Sequence, residues 1–284
     1  MNRTSDSLSS RDMNRLSTLV YDRAGIKLGP EKKVMLEGRL RRRMSKLNLH
    51  SYHEYCEYLF DERRRAVDEL PHLIDVVTTN KTEFFRERVH FDLLVKDVLP
   101  EICARAGNRE ITIWSAGCST GEEPYTLAIV LTVFAAQHSG FRFRILATDI
   151  STIVLEKAMK GVYTADTVEA VAPELRRRYF MRSRDRESNL VRVAPEIRRA
   201  VEFRQLNLME EFGISESFDV IFCRNVVIYF DQPTQEQLFL RFSRQLTDPG
   251  YIFLGHSESL HCMDLPFVPI APALYRKEKR HHER

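Results

Sequence analysis

Ile111-Thr112-Ile113-Trp114-Ser115-Ala116-Gly117-Cys118-Ser119-Thr120-Gly121-Glu122-Glu123-Pro124-Tyr125 is the stretch that sets the fold. Its β-branched opening reads as a buried strand. Small residues and two glycines make a tight loop. Thr120 is then placed to cap a helix that continues through Leu127, Ile129 and Leu131. A strand, a glycine loop and a helix in that order belong to an open α/β sheet. Such sheets bind ligands at the carboxyl ends of their strands.

The loop's chemistry narrows the ligand. Its spacing is Gly-x-x-x-Gly rather than Gly-x-Gly-x-x-Gly, and no Gly-Lys-Ser/Thr follows, so a phosphate cradle is disfavoured. Glu122 and Glu123 suit a helix start. They repel a pyrophosphate and attract an ammonium or sulfonium group. Two readings stand at this point: a ligand loop, or a plain glycine turn whose glutamates only cap the helix.

About 30 residues on, Phe143-Arg144-Ile145-Leu146-Ala147-Thr148-Asp149-Ile150 is a second strand ending in an acid. An aspartate at that tip can accept from both ribose hydroxyls, for roughly 1.5–3 kcal/mol. Alternatively, Asp149 or Ser151 caps the helix Thr152–Lys160. Loop and acid together favour an adenosine ligand without phosphates, and S-adenosylmethionine (SAM) fits better than NAD or ATP.

With 284 residues, 43% of them hydrophobic and 29% charged, the chain is an ordinary globular protein of one large domain or two. No apolar run approaches the ~20 residues of a membrane span. The polar amino terminus lacks a signal core. Five cysteines, none in a C-x-x-C pair, fit a reducing compartment. A cytoplasmic location, no membrane insertion and no metal are therefore expected. Cys118 lies in the glycine loop, but no base stands near it in sequence. A formal net charge of +3 does not demand nucleic acid.

Residues 1–12 read as a loose polar tail and 13–75 as helices throughout. Asp12–Gly25 is amphipathic, with Gly25 as its stop. In Pro30–Leu47, Leu36, Leu40, Met44 and Leu47 face a core, while Arg39, Arg42, Arg43 and Lys46 form one solvent-facing stripe. That stripe is either a solvated face or a docking surface for an acidic partner. Two more helices are expected at Ser51–Phe60 and Arg63–Asp75. Asn80 and Glu83 resemble a capping box, with a helix running to about Leu94. This segment is a plain linker, or it lies over the sheet edge with Arg86 near a reacting centre.

Residues 161–199 read as an insertion with a small antiparallel element. The sheet resumes with Val201–Leu208, which has Asn207 at its tip. Phe218–Val226, ending at Asn225, is the most apolar strand and is expected at the centre. Pro233–Leu246 is a helix, Asp248-Pro249-Gly250 a turn into the strand Tyr251–Gly255, and Val268–Arg276 the last strand material. Asp149, Asn207 and Asn225 are expected to converge on one crevice.

Four motifs, in order, carry a family resemblance. They are Thr79-Asn80-Lys81-Thr82-Glu83-Phe84-Phe85-Arg86, Ser119-Thr120-Gly121-Glu122-Glu123-Pro124-Tyr125, Ala147-Thr148-Asp149-Ile150 and Cys223-Arg224-Asn225-Val226-Val227-Ile228-Tyr229-Phe230-Asp231. The chain resembles the CheR family of chemotaxis receptor methyltransferases over nearly its whole length. The resemblance implies an α/β fold. A Rossmann-like SAM-dependent methyltransferase sheet spans 91–284 with a small β-subdomain inserted at about 161–199. An all-helical receptor-docking domain spans 1–75, and a linker at 76–90 contributes to the active site.

It also implies a SAM-dependent protein-glutamate O-methyltransferase, with S-adenosylhomocysteine as product and chemoreceptor cytoplasmic helices as substrate. By the same resemblance, the cofactor is held by Asn80, Thr82, Arg86, Glu123, Asp149, Asn207, Leu208, Asn225 and Val226. The docking helix of the family matches the stripe Arg39, Arg42, Arg43 and Lys46. In the expected mechanism, Arg86 pairs with the incoming carboxylate or holds the cofactor, and Tyr229 donates a hydrogen bond that aims the carboxylate. Members that dock a receptor's terminal pentapeptide carry Gly-x-Gly in the β-subdomain loop. Here that loop is Arg182-Ser183-Arg184-Asp185-Arg186-Glu187-Ser188-Asn189, so the pattern for a pentapeptide tether is not met, while a basic loop can still hold an acidic tail by charge. A monomer is expected. The competing classes are a nucleic-acid methyltransferase docking through the basic helix, and a SAM-sensing adaptor without catalysis. Against the first, the strand ends in Asn225-Val226-Val227-Ile228-Tyr229 and not in Asn-Pro-Pro-Tyr.

Overall fold

The structure is a computed structural model that describes residues 6–61, 69–78, 80–107, 109–185 and 187–278. In the amino-terminal part, α1 (Ser10–Ala24) starts on a Ser9 cap and stops at Gly25, whose φ of 69° allows its N–H to return to the Tyr21 carbonyl. A 3₁₀ turn leads into α2 (Lys33–Lys46), and α3 (Tyr52–Phe60) and α4 (Glu69–Val77) complete the unit. The expected helix from Arg63 falls partly outside the described residues. Leu16, Val20, Leu36, Leu40, Tyr55 and Leu73 are fully buried and form its core.

Two expectations fail in this unit. Residues 6–9 are not a loose tail: Ser7 Oγ and the Leu8 N–H both donate to Glu37 Oε1, and Leu8 is fully buried. The basic stripe is not uniformly solvent-facing. Arg39 Nη1 donates to the carbonyls of Val76 (2.9 Å) and Thr78 (2.7 Å). Arg43 pairs with Glu69 at 2.6 Å, and Glu69 is only 1% exposed. The apolar face of α2 brings α4 close enough for these long arginines to reach over it. Arg42 and Lys46 remain exposed.

The carboxy-terminal part opens with α5 (Val89–Leu93), a π-helical turn at Leu94–Val98 and α6 (Leu99–Ala106). Next come β1 (Ile111–Ala116), α7 (Glu122–Gln137), β2 (Phe143–Asp149) and α8 (Thr152–Lys160). The insertion holds β3 (Val162–Thr164), α9 (Pro173–Tyr179), β4 (Phe180–Arg182), β5 (Leu190–Val193) and α10 (Pro195–Arg199). Its strands pair antiparallel in the order β3-β5-β4, as a separate small sheet. The chain then returns to β6 (Val201–Gln205), β7 (Phe218–Cys223), α11 (Gln232–Gln245), β8 (Leu246–Leu254), β9 (Phe267–Ala271) and β10 (Leu274–Lys277).

The main sheet is ordered β6-β2-β1-β7-β8-β10-β9. Its first five strands are parallel, and β10 runs antiparallel between β8 and β9. The fully buried β7 lies at the centre, as its continuous apolar run requires. From β1 the chain winds outward through β2 and β6, then returns to place β7 on the other side. The crevice between the carboxyl ends of β1 and β7 is thus the topological switch point.

Strand β8 differs from expectation. It begins at Leu246, opposite Phe218, and Thr247–Gly250 bulges out before Tyr251 resumes opposite Val220. The Asp-Pro-Gly signal is a bulge within a strand, because β7 pairs with β8 on both sides of it, at Leu246 and from Tyr251 on.

Candidate active site at the carboxyl edge of the sheet

One cleft of about 980 Å³, open at its mouth, lies over the switch point. All nine residues expected at the cofactor line it, and so does Tyr229. The helical unit supplies a further wall through Ala24 and Ile26, at and just past the end of α1. Ties between the two units explain that closure. The Lys27 N–H donates to the Tyr229 carbonyl (3.1 Å), and Tyr21 Oη donates to Asp231 (2.8 Å). Asp75 on α4 also accepts from Ser151 Oγ at the start of α8.

The floor is the loop after β1. Gly117 has φ +79°, and a Cβ there would meet Val226 Cγ2 at 2.4 Å, so glycine lets this turn press against the β7 loop. Gly121, with φ +97°, is the N-cap residue of α7. The expected Thr120 cap does not form: Thr120 Oγ1 instead donates to Glu122 Oε2 at 2.7 Å. Glu122 is thereby turned away and buried. Of the two loop glutamates, only Glu123 lines the cleft.

At the tip of β2, Asp149 is 9% exposed. Its carboxylate accepts from the Ser119 N–H (2.8 Å) and the Ser151 N–H (3.0 Å). The helix cap is Ser151 itself, which accepts from the Val154 N–H. Asp149 is therefore not consumed by capping, and its remaining lone pairs can take two hydroxyls. Burial raises its pKa, and the two backbone donors oppose that rise.

The linker also departs from the expected capping box. Lys81–Glu83 forms no helix, residues 84–88 are turns, and α5 begins only at Val89. Phe84 is buried against Tyr163 and Phe180, with ring centroids 5.1 and 5.2 Å away. The Phe85 N–H donates to Thr126 Oγ1. Phe85 (φ 57°) and Glu87 (φ 54°) take left-handed backbone to reach these positions. Docking of the aromatic onto the inserted sheet overrides the local helix signal. Arg86, held between them, lines the cleft and donates from Nη1 to the Lys81 carbonyl at 2.8 Å.

Asn207 reaches the cleft edge, but its side chain is engaged. Its amide donates to the Arg23 carbonyl (2.8 Å) and to Glu210 (3.0 Å), and its Oδ1 accepts from the Met209 N–H. It ties the helical unit to the sheet as much as it offers a polar tip. Cys118 lines the cleft as a buried thiol whose pKa burial pushes far up, which removes it as a nucleophile.

Two charged residues of the site had no role assigned from sequence. Arg224, directly after β7, donates to Glu123 (3.0 Å), Glu87 (3.0 Å) and the Arg86 carbonyl (2.5 Å). Its guanidinium also lies 5.5 Å from the centre of the Phe91 ring. Glu258 accepts from the N–H groups of Asn225, Val227 and Gly255 and so shapes the loop after β7. Asn225 has φ 58° there. Burial raises Glu123 against the pull of Arg224. It also pushes Glu87 upward, but the Arg224 hydrogen bond and charge outweigh it and hold that carboxyl below its usual value.

The cleft has an acid poised for a ribose, apolar walls at Ile150, Leu208 and Val226, and no basic glycine loop. This donor and acceptor set fits SAM and not a pyrophosphate cofactor. Fold and site define a SAM-dependent methyltransferase.

Comparison with known proteins gives the family. Residues 80–271 match the profile described as CheR methyltransferase, SAM binding domain, and residues 11–78 match CheR methyltransferase, all-alpha domain. The chain belongs to the CheR methyltransferase family. It is 38% identical to a chemotaxis protein methyltransferase of Borreliella burgdorferi, across 95% of each chain. The Escherichia coli chemotaxis protein methyltransferase is 39% identical over 96% of this chain and 92% of its own. That of Salmonella typhimurium is 41% identical over 89% and 85%. Among the described residues, no helix is long and apolar enough to cross a membrane.

Proposed function

We propose that this methyltransferase transfers a methyl group from SAM to glutamate side chains of chemoreceptor cytoplasmic helices, forming methyl esters that set chemosensory adaptation. The observation that carries the reading is the cleft at the switch point. It gathers Asp149, Glu123, Asn225, Arg86 and Tyr229, in a chain whose relatives are chemotaxis methyltransferases.

When bound, SAM supplies an electrophilic methyl on a sulfonium. The incoming glutamate, with an ordinary side-chain pKa of ~4.3, is already ionised at neutral pH, so the chain needs no general base. Its work is proximity and alignment, which can supply on the order of 7–11 kcal/mol. In this reading Asp149 takes the ribose, Glu123 and Asn80 flank the charged end, and Arg86 and Tyr229 aim the substrate carboxylate. An arginine bound too tightly to that carboxylate would stabilise the ground state, so Arg86 is a positioning cation.

The test is methyl transfer from labelled SAM to purified receptor cytoplasmic fragments. Label released as methanol by base establishes the ester. Label stable to base, or label carried on nucleic acid, would refute it.

Asp149 gives a pH prediction. Accepting from both ribose hydroxyls beside two backbone N–H groups uses the full acceptor capacity of the ionised carboxylate, which protonation reduces, and burial has raised its pKa. As pH falls, Asp149 therefore protonates before an exposed aspartate at ~3.9 would. SAM affinity should fall on acidification already above that value. Asp149→Asn should bind roughly tenfold to a hundredfold more weakly, with a flatter pH profile. Calorimetric titration at several pH values reads both. Parallel profiles for the two proteins would remove Asp149 from the ribose.

The docking stripe divides into two parts. Arg42→Ala with Lys46→Ala should lower receptor methylation while leaving SAM affinity and melting temperature in place. Arg43→Ala should instead lower the melting temperature, because it strands the buried Glu69 carboxylate. Thermal melts beside methylation rates separate the two, and equal melting losses in both variants would argue against this division.

A further inference from the structure

Three side chains meet behind the cleft wall, and the pairing of Glu87 with Arg224 leaves the two histidines among them without a task. Glu87 closes the strained linker, His90 lies in α5 three residues later, and His256 sits in the loop after β8. One ligating atom from each lies within 4.8 Å of the other two. Glu87 Oε2 is 3.5 Å from His90 Nδ1. The two imidazoles meet edge to face, with centroids 4.9 Å apart.

His90 is fully buried, yet neither of its ring nitrogens has a hydrogen-bond partner among the described residues. Buried polar groups are nearly always paired, so two orphan nitrogens on one ring call for an explanation. A hydrogen bond to Glu87 would be the ordinary solution, but its Oε2, held by Arg224 at 3.0 Å, stays 3.5 Å from Nδ1 and makes none. His256 is exposed and opens the group to solvent.

We propose that Glu87, His90 and His256 form a site for one divalent transition-metal ion of the zinc class, with its remaining coordination position open to solvent. Two imidazoles and a carboxylate suit zinc and its neighbours, whereas magnesium and calcium favour oxygen ligands alone. Ligand bonds of about 2.0–2.1 Å put adjacent tetrahedral ligands roughly 3.3 Å apart, close to the separation of Glu87 and His90. The carboxylate has lone pairs for both the guanidinium and an ion. Arg224 orients it, and its positive charge restrains the affinity.

Occupancy would staple α5, and with it the linker that carries Arg86, to the loop after β8. That loop also holds Asn225 through Glu258. The sequence gives no sign of this site, because His90 and His256 are brought together only by the sheet.

The test uses the full chain stripped with a chelator and titrated with Zn²⁺ by calorimetry. A parallel titration with Co²⁺ is followed by its visible d–d absorption. One equivalent should bind, and Zn²⁺ should raise the melting temperature. His256→Ala should weaken binding on the order of tenfold or more and abolish the melting shift. Because His256 is exposed, this variant leaves the core untouched. Absence of stoichiometric binding overturns the proposal. So does unchanged affinity in His256→Ala, which would assign the ion to Cys262, His281 or His282.

Discussion

Arg224→Ala is expected to lower the melting temperature by on the order of 10 °C and to remove measurable SAM binding. The side chain is 2% exposed, and it faces two carboxylates that are themselves only 13% and 14% exposed. Removing the cation leaves Glu123 and Glu87 in a poorly solvated wall without the guanidinium they share. Breaking a buried pair in this way costs about 3–5 kcal/mol, a large share of a typical stability of about 5–15 kcal/mol. The stacking on Phe91 is lost as well. Function should suffer independently, because Arg224 joins the α7 start, the linker and the end of β7, three segments whose residues line the cleft. Arg224→Lys keeps the charge but lacks the planar fork that reaches three acceptors, and should fall between the two. Urea or thermal unfolding together with calorimetry reads both effects. An Arg224→Ala protein with unchanged melting and unchanged SAM affinity would sink this account of the cleft.

Arg224 also shows where sequence reading stops. The strand–glycine–helix pattern, the acid ending β2 and the apolar run of β7 are local signals. Each follows from backbone sterics or burial within a few residues, so the sheet and the place of its crevice are legible. The family motifs extend this to single residues, and the structure brings every one of the expected cofactor positions to one cleft. What lies between the motifs is tertiary. Arg224 stands in the quoted motif, but its partners Glu123 and Glu87 come from other elements and carry no shared spacing. Glu258 holds Asn225 from the far side of β8. The left-handed residues Phe85, Glu87, Ser119 and Asn225 all lie in or beside the loops that border the cleft, and none is a glycine that would have announced it. Helical spacing put Arg39 and Arg43 correctly on one face of α2. It could not show that α4 lies beside that face with carbonyls and a buried glutamate to meet them.

Arg86→Ala should reduce the methyl-transfer rate by on the order of a hundredfold, with SAM affinity changed less and the melting temperature nearly unchanged. Its backbone and its side chain are held by different contacts. The backbone is fixed by left-handed neighbours on both sides and by the Arg224 bond to its carbonyl, and all of this survives the substitution. Within the protein, the side chain gives a hydrogen bond to the Lys81 carbonyl at the protein surface, so little folding energy rests on it. The guanidinium lines the cleft, and its only side-chain hydrogen bond among the described residues is the one from Nη1 to Lys81. A misplacement of about 1 Å in a reacting group can cost on the order of a hundredfold, which sets the expected size. Arg86→Lys discriminates the two forms its action can take. If charge alone steers the substrate carboxylate, lysine restores most of the rate; if the planar fork aims it, lysine stays close to alanine. Single-turnover methyl transfer at saturating SAM, with a melt as control, decides between them. Full turnover in Arg86→Ala would move the aiming function to Tyr229, which borders the same cleft and whose carbonyl holds Lys27 of the helical unit.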